Sequence, residues 1–165
     1  MYKKLNLVTL VVVLCVAFCL SASSSYATVM EEEEALAFTN FIQTIIQTMQ
    51  HTRSNVTCVY GNDEITKIMV AQDKRTINLN TDPGSYANCR AIYIAKGREK
   101  GLGSDIEKYN NSKILTIAIF EGFTEMGGML QVQVGRRNFE IILNSKTVKS
   151  SGVRLSPLVM DFVIN

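Results

Sequence analysis

The sequence predicts an α/β fold with a mainly parallel central sheet flanked by helices, followed by a C-terminal antiparallel hairpin and two terminal helices. Short apolar runs of the kind found in buried strands alternate with short helical patterns between residues 36 and 120. This alternation favours parallel strands with helices on the faces of the sheet. Near the end of the chain, two strand-like runs flank Gly135, which indicates a hairpin.

Residues 1–27 have the composition of a signal peptide. Lys3 and Lys4 precede the uncharged stretch from Leu5 to Leu20, and Ser25 and Ala27 provide small residues before a cleavage point. The alternative is an uncleaved membrane anchor, but the stretch is shorter than the roughly 20 residues needed to cross the hydrocarbon layer. We therefore expect an exported precursor whose mature part, residues 28–165, forms a single domain.

The charge balance excludes one class of partner. The chain contains 17 basic and 15 acidic residues, and cleavage would remove Lys3 and Lys4, leaving equal numbers of each sign. A formally neutral domain lacks the basic surface that nucleic-acid binding requires, so we expect no nucleic-acid partner.

An amphipathic helix is predicted between Leu36 and Met49. Its apolar residues recur at steps of three and four and therefore share one face. They are Phe38, Phe41, Ile42, Ile45, Ile46 and Met49. Acidic residues 31–34 lie at the start of this helix, and His51 and Arg53 at its end, as the helix dipole favours.

The following segments alternate between strand and helix. Strands are predicted at Val56 to Tyr60, Thr76 to Asn80, Cys89 to Ala95 and Ile114 to Phe120. Helices are predicted at Asp63 to Val70, with Asp63 as a cap, and at Ser104 to Tyr109.

The C-terminal part should pair Met129 to Val134 with Asn138 to Asn144. The first terminal helix begins at Ser145 and stops at Gly152, a residue type favoured just after a helix. The second begins with Ser156 as cap and Pro157 at its first position.

Cys58 and Cys89 are the two cysteines that would remain after cleavage. An even pair in an oxidising compartment favours a disulfide, and the alternative is two separate buried thiols. A bridge closing 31 residues would contribute about 3 to 4 kcal/mol by the chain-entropy estimate.

The reactive groups do not form a catalytic pattern. The only histidine, His51, has no Cys, Asp or Glu at metal-ligand spacing, so we expect no enzyme, no metal and no cofactor. Gly97, Gly101 and Gly103 precede a predicted helix, where an anion could bind, but their spacing fits neither phosphate-binding motif and favours a flexible connection.

The segment Gly122-Phe123-Thr124-Glu125-Met126-Gly127-Gly128-Met129 is the most distinctive stretch. Paired glycines just before a strand indicate a backbone that must turn sharply or approach another chain closely, and the alternative is an ordinary tight loop.

Together with other segments, this stretch resembles the YfiR family of bacterial periplasmic proteins over nearly all of the mature chain. The matching segments are Ala37-Phe38-Thr39-Asn40-Phe41, the cysteine-bearing strands around Cys58 and Cys89, Gly127-Gly128-Met129, and the later positions Asn144, Gly152 and Ser156.

The resemblance implies a periplasmic protein that binds the periplasmic domain of a membrane diguanylate cyclase and holds it inactive, so lowering cyclic-di-GMP signalling. It further implies release by an outer-membrane lipoprotein, and a homodimer is a further expectation. The family-motif and interface candidates are Phe123, Gly127, Gly128, Met129, Asn144, Gly152, Arg154 and Ser156.

Two questions stay open from the sequence. The late apolar residues, among them Leu158, Met160 and Phe162, could be core or interface. The alternative function is a periplasmic domain that binds or senses a small molecule, because a parallel sheet has a crevice at the carboxyl ends of its strands, and five arginines are available as anion contacts. They are Arg90, Arg98, Arg136, Arg137 and Arg154.

Overall fold

The computed structural model describes residues 32–49, 54–136 and 138–164. The predicted signal peptide, together with His51, Arg53 and Arg137, lies outside these residues. A compact unit begins at Leu36, and residues 32–35, which precede it, are helical. None of the helices in the described ranges has the length and hydropathy needed to cross a bilayer.

The strands of the described region form one seven-stranded sheet. They are β1 (Val56–Tyr60), β2 (Ile77–Asn78), β3 (Cys89–Ile94), β4 (Leu115–Ala118), β5 (Leu130–Val134), β6 (Phe139–Leu143) and β7 (Val163–Ile164). Their order across the sheet is β2-β1-β3-β4-β5-β6-β7. Only β5 and β6 pair antiparallel, and every other neighbouring pair is parallel. The predicted α/β class, with its mainly parallel sheet and late hairpin, is confirmed.

The helices lie between these strands. They are α1 (residues 32–47), α2 (Glu64–Gln72), α3 (Leu102–Asn111), α4 (Ser145–Ser151) and α5 (Pro157–Met160), with a 3₁₀ helix at Pro83–Asn88. The predicted caps Asp63 and Ser156 are present, because their side chains accept hydrogen bonds from the first turns of α2 and α5. Asn144, which was not predicted as a cap, does the same for α4.

The sheet buries a different set of side chains on each face. Ile92 and Ile94 of β3 pack with Ile106 of α3. The intervening residue Tyr93 points the other way, since its hydroxyl donates to the Asp63 carboxylate at the start of α2, with 2.6 Å between the oxygens. α1 lies on the same face as α2, because Gln43 Nε2 donates to Gln72 Oε1 at 3.0 Å.

The predicted face of α1 is buried as expected. Phe38, Ile42, Ile45 and Ile46 are almost completely inaccessible, and Phe41 is half-buried. Phe38 and Phe41 both contact the ring of Phe139 on β6, with ring centroids 4.8 Å apart in each pair. The first helix therefore packs over the antiparallel end of the sheet.

Some element boundaries differ from the sequence prediction. The predicted strand from Thr76 to Asn80 is only two residues long, and the strand predicted from Ile114 begins one residue later and ends at Ala118. Strand β7 was not expected. It follows α5 after a short turn and runs parallel to β6, with Val163 opposite Ile141.

Candidate interaction surface

The Gly122–Met129 segment forms a tight loop that connects β4 to β5. Gly122 and Gly127 have φ values of 79° and 97°, which side chains other than glycine rarely adopt. Backbone hydrogen bonds close the loop, including Gly128 N to Phe123 O at 3.0 Å. This loop carries the chain between two parallel strands without a helix.

Phe123 forms the centre of this loop. Its side chain is completely buried, and its backbone N–H donates to the side-chain oxygen of Gln131 on β5 at 3.2 Å. A Cβ at Gly128 would overlap the Phe123 ring, so only glycine fits at that position. Met129 is completely buried as well, and its N–H donates to Thr116 Oγ1 at 3.0 Å.

Phe123, Gly128 and Met129, which the sequence offered as family-motif or interface candidates, are buried in the structure. All three lie in the interior, because the loop folds inward and its aromatic ring fills the space against β5. They can shape the fold but cannot touch a partner in this conformation. The paired glycines reflect a close approach within the chain.

Asn144 connects this loop to helix α4. Its Nδ2 donates to Thr124 O at 2.8 Å, while its Oδ1 accepts from Thr147 N at 3.0 Å. One side chain therefore caps α4 and fixes the loop at the same time. The structure brings Asn144 together with the glycine loop, as a structural support.

Gly152, Arg154 and Ser156 lie apart from the loop, at the link between α4 and α5. Gly152 ends α4 with a φ of 75°, and Ser156 is buried with its Oγ accepting from Leu158 N at 3.3 Å. Arg154 is exposed. Of the predicted motif residues, Arg154 is the one whose charged side chain is free to reach another molecule.

The segment after Ser156 exposes an unusual amount of apolar surface. Leu158, Met160, Phe162 and Ile164 are 61%, 48%, 38% and 39% exposed, respectively. Val159, 3% exposed, anchors the segment. We call these four exposed side chains the C-terminal apolar surface.

The C-terminal apolar surface continues onto the hairpin through a row of aromatic rings. Phe162 contacts Phe41 edge to face, with centroids 5.0 Å apart, and Phe41 stacks on Phe139. Phe139 is opposite Val134 in the hairpin, and Val134 is 61% exposed. Apolar side chains therefore extend from α5 to the hairpin along one end of the sheet.

Such a surface is suited to contact with another protein. Apolar side chains scattered singly on a surface are ordinary, but a contiguous group of large ones often marks an interaction site. Exposed Arg154 precedes the group in the sequence, and exposed Asp161 lies within it between Met160 and Phe162. A mainly apolar group that also carries charged side chains resembles the composition of a protein interface.

Cys58 and Cys89 form a disulfide on two inner strands of the sheet, away from the C-terminal apolar surface. Their Cα atoms are 5.7 Å apart, and the bridge joins neighbouring parallel strands β1 and β3. Both residues belong to the core cluster beneath α3. The bridge therefore ties two central strands together inside the core.

In the part of the chain that the structure describes, no group of three His, Cys, Asp or Glu side chains could hold a metal ion.

The sequence did not reveal two features of the structure. Strand β7 is too short to show a period, and the burial of Arg90 depends on helices that are distant in sequence. The only available hint for Arg90 was its position inside a predicted strand.

Comparison with known proteins identifies a family. The model of the family described as DUF4154, YfiR/HmsC-like, matches residues 33–162. A conserved domain protein from Vibrio cholerae O1 biovar El Tor has a similar solved structure, with a TM-score of 0.53 and 10% sequence identity. The alignment covers 76% of this chain and 58% of that one, and it indicates a shared fold. No curated protein sequence matched the chain.

Proposed function

The chain belongs to the YfiR/HmsC-like family, and on that basis we propose that it is a periplasmic regulatory protein that binds and restrains a membrane-bound diguanylate cyclase. Restraint of the cyclase would lower cyclic-di-GMP signalling. The observation that carries this proposal is the family match over residues 33–162, which includes Cys58 and Cys89, the glycine loop and all of the C-terminal apolar surface except Ile164. Such a protein acts by binding its partner or releasing it, and this needs no catalytic group of its own.

The proposed contact is the C-terminal apolar surface. Leu158 and Met160 are exposed while their neighbour Val159 is buried, so the segment is held in place and presents apolar side chains outward. Burying them against the periplasmic domain of the cyclase would stabilise a complex by about 25 cal/mol for each Å² removed from water, before the cost of association. Arg154 would contribute a charged contact at the edge of this interface.

Periplasmic location is consistent with two features of the chain. The predicted signal peptide would export it, and the bridge between Cys58 and Cys89 is of the kind that persists outside the cytoplasm. We therefore propose that residues 1–27 are a signal peptide removed on export and that the following residues form one regulatory domain.

Two further partners belong to the proposal. An outer-membrane lipoprotein would relieve the restraint by competing for the regulator, and a second copy of this chain could cover the same apolar surface when the cyclase is absent. Competition at one surface would make these states mutually exclusive. The mass of the purified protein, measured by light scattering over a range of concentrations, distinguishes the monomer from the homodimer.

The decisive experiment measures cyclic-di-GMP in cells that produce the full chain together with the candidate cyclase. We expect the native chain to lower the nucleotide level and to be recovered with the cyclase from detergent-solubilised membranes. The double variant Leu158→Ser with Met160→Ser should fold normally but bind at least about tenfold more weakly, because it removes exposed apolar contacts at the centre of the interface.

The matched control is Val70→Ser. Val70 is also an exposed apolar residue, 38% accessible, but it lies on α2. Its variant should restrain the cyclase as well as the native chain. The proposal fails if the native chain neither lowers the nucleotide level nor associates with the cyclase, and the proposed surface fails if both variants bind equally.

A further inference from the structure

A cavity of about 460 Å³ lies between α1, the C-terminal end of α2 and the first residues of β1 and β3. Its lining is mostly polar. The lining residues are Gln43, Ile46, Gln47, Asn55, Thr57, Met69, Gln72, Asp73, Arg75, Thr76 and Arg90. This volume lies within the range of sites that hold small organic molecules, roughly 300 to 1,000 Å³.

Arg90 is the unusual member of this lining. Its Nε and Nη2 are inaccessible to solvent, and neither has a hydrogen-bond partner among the described residues. Burial lowers the pKa of the guanidinium from its ordinary value. Arg90 as a whole is half-buried, and a guanidinium that loses part of its hydration without gaining a partner is stabilised by an anion placed beside it.

The other charges of the cavity do not satisfy Arg90. The carboxylate of Asp73 is already bound by Arg75, whose Nε and Nη2 donate to its two oxygens at 3.1 Å and 3.0 Å. The charges of Asp73 and Arg75 cancel each other, and the pair lies near the surface. The cavity therefore keeps one uncompensated positive charge, at Arg90.

The other lining residues indicate what kind of molecule would fit the cavity. The side-chain amides of Gln43 and Gln72 are hydrogen-bonded to each other at 3.0 Å, so each holds the other in place at the cavity. Gln47, Asn55 and Thr57 offer further donors and acceptors, and Ile46 and Met69 provide apolar surface. A small molecule with a polar body and one anionic group would match this lining.

We propose that this cavity binds a small organic monocarboxylate, with the carboxylate paired to Arg90. A guanidinium forms strong, charge-assisted hydrogen bonds to a carboxylate. A monoanion balances the single net positive charge, whereas a phosphate dianion would exceed it and meet the carboxylate of Asp73. This inference goes beyond the proposed function, because binding here requires no cyclase.

The test measures thermal stabilisation and binding heat for the purified full chain. The probes are acetate, lactate and the common amino acids at about 10 mM, each compared with a neutral amide such as acetamide or lactamide, and with inorganic phosphate. We expect at least one carboxylate to raise the melting temperature while its amide counterpart does not.

Substitutions of Arg90 test whether this residue binds the carboxylate. Arg90→Gln should fold and should weaken carboxylate binding at least about tenfold, because it removes a charge-assisted pair. Arg136→Gln, at the exposed turn between β5 and β6, should change it by less than about twofold. If Arg90→Gln does not fold, Arg90→Lys keeps the charge without the planar fork and should still bind more weakly than the native chain.

Several results would overturn the inference. These are no stabilisation of the native chain by any carboxylate, equal stabilisation by the neutral amides, tighter binding of phosphate, or unchanged binding in the Arg90 variant that folds. None of these results bears on restraint of the cyclase, which the cellular experiment measures separately.

Discussion

The ring of Phe123 occupies the space that a Cβ at Gly128 would need. This contact explains why the loop has glycine at this position. Phe123 is completely buried, its N–H donates to the side-chain oxygen of Gln131 and its carbonyl oxygen accepts from Gly128 N, so the ring has little room to move aside. The contact also makes a direct prediction about stability.

Replacing Gly128 by alanine should destabilise the protein by about 1–3 kcal/mol, because the added methyl group overpacks a closed part of the core. Denaturant unfolding measures the change. The control is Gly103→Ala: Gly103 lies in α3 with open space around its Cα, so alanine should be neutral or stabilise by up to about 1 kcal/mol. Equal effects of the two substitutions would contradict the packing argument.

Loss of the disulfide should lower the free energy of unfolding by about 3–4 kcal/mol, since the bridge closes a loop of 31 residues. The comparison is between the native chain with and without reductant and the double variant Cys58→Ser with Cys89→Ser. Reductant should lower the stability of the native chain only. A native chain that is equally stable when reduced would show that the bridge contributes little.

Tyr93 should make the protein sensitive to alkali. Burial, and then the neighbouring carboxylate of Asp63, raise the pKa of this phenol in the folded state. The resulting stability is fully present below the ordinary tyrosine pKa of about 10 and is lost as the pH rises above it.

We expect Tyr93→Phe to cost about 1–2 kcal/mol at neutral pH, through the lost bond to Asp63, and to reduce the loss of stability at high pH. The advantage of the native chain over the variant should therefore shrink above pH 10. Burial also raises the pKa of Tyr109, to about 12, so part of the alkaline loss should persist in the variant. A pH-independent difference would refute the assignment to Tyr93.

Asn144→Ala should cost about 1–2 kcal/mol, because it removes both the cap of α4 and the bond to Thr124 O. Asn144→Ser should recover part of this, since serine can cap the helix but is too short to replace the amide donor. Asn138→Ala, at an exposed turn position, is the control. Hydrogen exchange should report faster opening of the 122–128 loop in both Asn144 variants, and protection equal to that of the native chain would contradict the proposed double role.

Local signals in the sequence were sufficient for much of the fold. The caps at Asp63 and Ser156 were predictable because capping depends on residues within one helical turn. Strand β1 was predicted with its observed bounds, because a short apolar run bounded by turn residues is distinctive.

The remaining features depend on contacts between distant segments. Strand β7 has two residues and exists only because it pairs with β6. Arg90 appeared to be one residue of an ordinary strand, and its partial burial beside a cavity lined by α1 and α2 depends on segments distant in sequence. The paired glycines indicated a sharp turn or a close approach of another chain, but the sequence of the loop does not reveal that Phe123 folds back against Gly128.

In the described region, the two rims of the sheet are formed by β2 and β7, and each contains only two residues. A second copy approaching either edge strand would find only two residues with which to pair, which disfavours the addition of strands to the sheet. The exposed apolar residues at one end of the sheet therefore offer a partner contact through side chains with little backbone pairing.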